Sequence, residues 1–300
     1  MLVPAALRPG CALPRPPVSP RLADLHPERP RPPSREVLGV RFDATTYADA
    51  SARVLAWAAR GESRTVFCSN THSAVEASDG RSERRTYGRS FRDVLNAADL
   101  NTPDGVPVVW ALRHLGVATA ERVYGPDLTL RVLRDAAAAG VPVAFYGSSP
   151  ATLAALAERL PALAPGLDVR AMIAPPYRPL TDAEDGAFTH QLAASGARVV
   201  FVGLGCPRQE RWCEAHRGRI PAVMMAVGAA FDFHAGRVRQ APPVLQRAGL
   251  EWAFRLAVEP RRLWRRYAHV VPAFLWRFAR QMWRERGSGK WEVGNGGGAG

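Results

Sequence analysis

Three hundred residues, 47% hydrophobic and 22% charged, make a chain long enough to bury a substantial core, which excludes wholesale disorder. Forty Lys and Arg against 27 Asp and Glu give a formal charge of +13, so an anionic partner is expected: nucleic acid, a phospholipid surface or a phosphorylated substrate. Four cysteines, Cys11, Cys68, Cys206 and Cys213, form no Cys-x-x-Cys pair, which argues against a disulfide framework or a zinc site and for a reducing compartment.

Residues 1–38 are crowded with Pro and Arg and lack hydrophobic periodicity, so they read as an unstructured extension whose translation is itself open to question. From 39 to 248 short apolar runs alternate with amphipathic segments. The runs fall at 65–68, 141–146, 167–169, 198–202 and 222–227; the helical patterns lie near 71–80, 107–115, 127–139, 150–163, 182–195 and 207–219. Apolar strands separated by helices predict an α/β fold, a Rossmann-like and mostly parallel sheet flanked by helices. Residues 249–286 predict a helical appendage, opened by Pro260 and kinked at Pro272. Apolar positions 263, 267, 270, 271, 274, 278 and 282 form one greasy face flanked by arginines, and residues 287–300 predict a flexible tail. Aromatics set among arginines suit the plane of a lipid interface, or packing on the core with a solvated rim. No stretch reaches the roughly 18–20 apolar residues that span a bilayer, so membrane contact is expected to be peripheral.

Ligands of open parallel sheets gather at the carboxyl ends of the strands, where helix N-termini point their N–H groups into the crevice. Four predicted loops qualify. Asn70 follows the first strand and suits either a sugar or base contact or an N-cap. Asp104, in Pro103-Asp104-Gly105, is either a turn former or a carboxylate placed to take a proton from an attacking hydroxyl. Arg122 precedes a helix near Asp127 and suits either a bidentate diphosphate clamp or a surface salt bridge. The turn Gly203-Leu204-Gly205-Cys206-Pro207 runs into Gln209 and Glu210; as a dinucleotide fingerprint it fails at the third glycine, where Arg208 stands. A further loop carries Asp232 and His234, too few ligands for a metal, and the sequence has no Asp-x-Asp triplet; neither a metal nor a cofactor is expected.

In this order the loops resemble the WecG/TagA/CpsF family of bacterial glycosyltransferases. The matching residues are Asn70, Ala98-Asp99-Leu100 through Pro103-Asp104-Gly105, Glu121-Arg122-Val123 with Gly125, Gly203-Leu204-Gly205 with Pro207 and Gln209-Glu210, and Phe231-Asp232. Gly249-Leu250-Glu251-Trp252, Arg255-Leu256, Glu259-Pro260 and Arg266-Tyr267 complete them. The resemblance implies inverting transfer of an N-acetylmannosamine or uronic acid type sugar from a UDP-sugar donor to a polyprenyl-diphosphate-linked sugar acceptor, in cell-surface or exopolysaccharide biosynthesis. The enzyme would work at the cytoplasmic face of the inner membrane, and an oligomer is compatible with it. Asp104 is then the catalytic base, and Asn70, Arg122, Gly203, Gly205, Gln209, Glu210, Asp232, Arg255, Arg262 and Arg266 bind substrate. Cys68 stands where the family usually has Thr, Gln240 where it usually has Arg, and residues 81–88 are an insertion. Two alternatives remain at this stage: a nucleic-acid-binding protein using the basic, aromatic C-terminus, although no nucleic-acid module is present, and a nicotinamide-dependent oxidoreductase.

Overall fold

The computed structural model describes residues 30–79, 89–242, 244–245 and 250–287; the side chain of Arg262, the insertion at 81–88 and the tail from 288 onward lie outside the described residues. In chain order the elements are β1 (Ser34–Val37), β2 (Val40–Asp43), α1 (Tyr47–Arg60), β3 (Arg64–Ser69), α2 (Thr71–Ser78), α3 (Phe91–Asn96), β4 (Leu100–Pro103), α4 (Val106–His114) and α5 (Gly125–Ala139). There follow β5 (Val143–Gly147), α6 (Pro150–Leu163), β6 (Val169–Ile173), α7 (Asp182–Ala194), β7 (Val199–Gly203), α8 (Arg208–Ala215), β8 (Val223–Ala226), α9 (Ala230–His234), α10 (Glu251–Val258) and α11 (Pro260–Gly287).

Strands β3 to β8 form one six-stranded, all-parallel sheet in the order β4-β3-β8-β7-β5-β6. The period of two along the strands sorts side chains between two cores. Phe67, Tyr146, Val200, Val202 and Met224 face one, and Val66, Phe145, Val199, Phe201 and Met225 face the other. A sheet covered on both faces explains why the strand runs are continuously apolar.

Several elements were not legible in the pattern, among them β1, β2, β4 and α1. β1 and β2 form an antiparallel hairpin, which places Ser34–Val37 inside the stretch expected to be an unstructured extension; residues 1–29 lie outside the described residues. The hairpin lies beside β4, where the Asp43 carboxylate accepts from the Asn101 amide at 2.7 Å and Asn101 Nδ2 donates to the Arg41 carbonyl at 2.7 Å, so the sheet edge is covered. β4 occupies residues read as a loop, because Asn101 and Pro103 are poor strand formers that are nonetheless buried. α1 is capped by Thr46, whose hydroxyl accepts from the Asp49 amide, and ends at Gly61 in the left-handed region.

The chain crosses from β4 to β5 over three intervening strands, so the crevice beyond the strands' carboxyl ends opens at this reversal. Two glycines let its walls close. A Cβ on Gly147 would lie 2.6 Å from the Gly203 backbone, and one on Gly203 would lie 2.8 Å from the Phe231 ring.

In α11 the stripe Leu263, Val270, Phe274 and Phe278 is buried against the protein rather than free. Phe278 meets Trp110 of α4 at 5.4 Å, Arg277 donates to the Val75 carbonyl and pairs with Asp79, the C-cap of α2, and Gln281 bonds both ways with the β1 turn. The helix runs without a break through Pro272. Its outer side presents Trp264, Leu275, Trp276 and Trp283, the last two 70% and 77% exposed. Among the described residues, no helix is long and apolar enough to cross a membrane.

Candidate functional site

Asp104 is placed by the end of β4. Its amide donates to the Ser69 carbonyl at 2.9 Å, which ties the loop after β4 to the loop after β3, and Gly105 caps α4. A Cβ on Gly105 would lie 3.4 Å from Asn70 Cβ, so Asn70 and Asp104 are brought to one wall of the crevice. Asn70 Oδ1 accepts from the amides of His72 and Ser73 as the N-cap of α2, while its Nδ2 makes no hydrogen bond among the described residues. The carbonyl end is structural and the amide end is available.

Arg122 reaches the same place from the segment before α5. Its Nε donates to the Asp104 carbonyl at 2.7 Å and its guanidinium lies 4.3 Å from the Tyr124 ring centre. Nη2 donates to Glu251 Oε2 at 2.5 Å and stands 3.8 Å from Asp104 Oδ1. Two of the three nitrogens are therefore engaged, and a bidentate diphosphate grip through Nη2 would require release of Glu251. Glu251 was not among the residues singled out from sequence; the signal was there, a lone acid within Gly249-Leu250-Glu251-Trp252 in a strongly basic segment.

The Asp104 carboxyl is pushed up to about 7, chiefly because surrounding protein strips its water; Arg122 opposes this, the Glu251 carboxylate adds to it, and the Gly125 amide and Arg255 oppose it. The side chain keeps 15% of its surface open, so the group is desolvated yet reachable. Such a carboxylate is proton-accepting near neutrality, as a general base requires. Cys68, which stands against Gly125 in the crevice floor, is pushed up to about 12 by burial and by Asp104, and so stays a thiol.

The loops after β7 and β8 behave differently. The Gly205 amide donates to Gln209 Oε1 at 3.1 Å, Gln209 Nε2 donates to Glu210 Oε1 at 2.9 Å, and Gly228 packs on the Gln209 amide. Gln209 and Glu210 are 5% and 1% exposed. These residues clamp the crevice loops from beneath. Burial pushes the Glu210 carboxyl up to about 7 as well, and its Oε2 has no hydrogen-bond partner among the described residues. Asp232 is turned to α6, where it accepts from the Thr152 hydroxyl at 3.3 Å, and Gln240 donates to Asp127 at 3.1 Å.

From the appendage, Arg255 lies over the Phe233 ring at 5.7 Å and within electrostatic reach of Asp104; Arg266 is within reach of His72 and Cys206, and burial with Arg266 and His269 lowers His72 to about 4. Arg262 is outside what is described. A polar cavity of about 350 Å³ lies at the opposite, amino-terminal end of β3 and β4, lined by Arg31, Arg41, Trp57, Arg64 and Asp99. Its cations are matched internally, Arg41 to Asp43 at 3.2 Å and Arg64 to Asp99 at 2.8 Å, so it is a packing network remote from Asp104.

Residues 35–288 match the Glycosyl transferase WecG/TagA/CpsF family. The chain is also 33% identical, over 181 residues covering 60% of it and 68% of the relative, to an N-acetylglucosaminyldiphosphoundecaprenol N-acetyl-beta-D-mannosaminyltransferase of Bacillus spizizenii. A family match over this length sets the oxidoreductase reading aside. The chain belongs to the WecG/TagA/CpsF family and is a glycosyltransferase of cell-surface polysaccharide assembly.

Proposed function

We propose that the chain transfers a sugar of the N-acetylmannosamine or uronic acid type from a UDP-sugar to a sugar carried on a polyprenyl diphosphate, with inversion. The name of the Bacillus relative, whose acceptor is a diphosphoundecaprenol-linked N-acetylglucosamine, supports the acceptor class. The observation that carries the mechanism is a reachable carboxyl at 104 titrating near 7 with a guanidinium 3.8 Å away. The acceptor hydroxyl gives its proton to Asp104 as its oxygen bonds to the anomeric carbon; on the opposite face the bond to the donor phosphate breaks and UDP leaves. Asn70 Nδ2 and Nη1 of Arg122 lie on the wall where donor groups would be held, and Arg255 and Arg266 add positive charge for the departing diphosphate. Gly203, Gly205, Gln209 and Glu210 shape that pocket from below. The test is a screen of UDP-sugars against a synthetic lipid-linked acceptor, with mass spectrometry of the product. We expect transfer by the wild-type chain and its near-complete loss in Asp104→Asn; a variant with full turnover would remove Asp104 from the chemistry.

The working location in this proposal is the cytoplasmic membrane face. The domain plan in this proposal has a catalytic core over 39–248, extended by the β1–β2 hairpin, and the appendage over 249–286. With the inner stripe of α11 consumed by packing, lipid contact falls to the exposed Trp276 and Trp283 beside Arg280 and Arg284. Trp276→Ala with Trp283→Ala should weaken flotation with anionic vesicles several-fold; unchanged flotation would reject this face as the contact.

A further inference from the structure

We propose that Glu251 is a positioning residue: reaching into the crevice from α10, it accepts the hydrogen bond that Arg122 Nη2 donates and so leaves the Asp104 carboxylate free to accept a proton from substrate. The inference rests on Asp104 being the base.

One nitrogen faces two carboxylates. Nη2 stands 2.5 Å from Glu251 Oε2 and 3.8 Å from Asp104 Oδ1, the second beyond hydrogen-bond range. Arginine paired directly with an aspartate holds it ionised and makes it a poor proton acceptor, typically lowering its titration by about one to three pH units. Here that pairing is diverted. The Asp104 main-chain carbonyl still anchors Nε at 2.7 Å, so the guanidinium is kept beside the base without a hydrogen bond from Nη2 to its carboxylate. The groups facing the Asp104 carboxyl come from each surrounding element: Arg122, the Gly125 amide of α5, Glu251 and Arg255 of α10, with Cys68 of β3, Tyr47 of α1 and Tyr124 in the same field. Of these, Glu251 is the acid that adds to the upward displacement. It is 8% exposed, and a carboxylate so placed is held by its partner rather than by solvent.

There is a consequence for assembly. Glu251 is the first residue of α10, and the contact with Arg122 joins the appendage to the core at the reacting position. When the appendage is displaced, Arg122 is released toward Asp104 and the base is silenced.

The experiment uses the full-length chain. Glu251→Gln keeps the shape and removes the charge; Glu251→Ala removes both; Glu251→Asp restores the charge. The Asp104 carboxyl is followed by carbon-detected NMR titration, and kcat by pH profile. In the Gln and Ala variants the Asp104 titration should fall by at least about one pH unit, the acid limb of kcat should move down with it, and the plateau should drop about tenfold or more, with Asp restoring part of each. A purely structural contact would lower the melting temperature and leave the Asp104 titration in place, and that result overturns the proposal. A wild-type chain that transfers no sugar would count against the glycosyl-transfer mechanism instead, while the titration still judges Glu251.

Discussion

Among the described residues, the carboxyls of Asp104 and Glu210 are both pushed up to about 7, and they follow different strands of the sheet, β4 and β7. Asp104, after β4, keeps 15% of its side chain open, has a guanidinium 3.8 Å away and faces an appendage residue. Glu210, in the first turn of α8, is 1% exposed, holds the Gln209 amide and reaches no bulk solvent. Desolvation is the leading cause of the upward displacement in both, so the displacement alone does not mark a catalytic group. What separates them is access. One is desolvated by the walls of an opening, the other by the core beneath it.

The contrast is broken or sharpened by substitution at each carboxyl. The largest effect is expected at Asp104, where Asn keeps the volume and loses the base; turnover should fall by about 10²–10⁴ with little change in melting temperature. Glu210→Gln should do the reverse. The folded-state titration of Glu210 lies above the ordinary glutamate value, so the stability of its protonated form is fully present below about 4.5 and is lost as pH rises through about 7. The Gln variant escapes that loss. It should melt near the wild type at pH 5 and a few degrees higher at pH 8.5, with kcat changed by less than about threefold; a variant with kcat reduced a hundredfold would move Glu210 into the chemistry.

Much of this was readable in the residues. The runs at 198–202 and 222–227 are β7 and β8 because both faces of a parallel sheet are covered and every position must be apolar. Arg122 and Asp104 could be placed at one crevice because strand ends in such sheets share an edge. Three things were hidden. β4 is polar, because its Asn101 and Thr102 side chains serve the β2 hairpin and buried carbonyls rather than a greasy core. The 263/270/274/278 face of α11 has the same pattern whether a membrane or the protein covers it, and only the packing on α2 and α4 decides. Glu251 could not be paired with Arg122 from sequence, since they are 129 residues apart and joined through tertiary contact alone.

The central claim is tested most directly by the pH dependence of single-turnover sugar transfer, where product release cannot mask chemistry. With Asp104 as the base, the rate should fall about tenfold per pH unit below an acid limb near 7, and Asp104→Asn should leave a low rate without that limb. A wild-type rate flat from pH 5 to 8, or the same limb persisting in Asp104→Asn, would contradict the account.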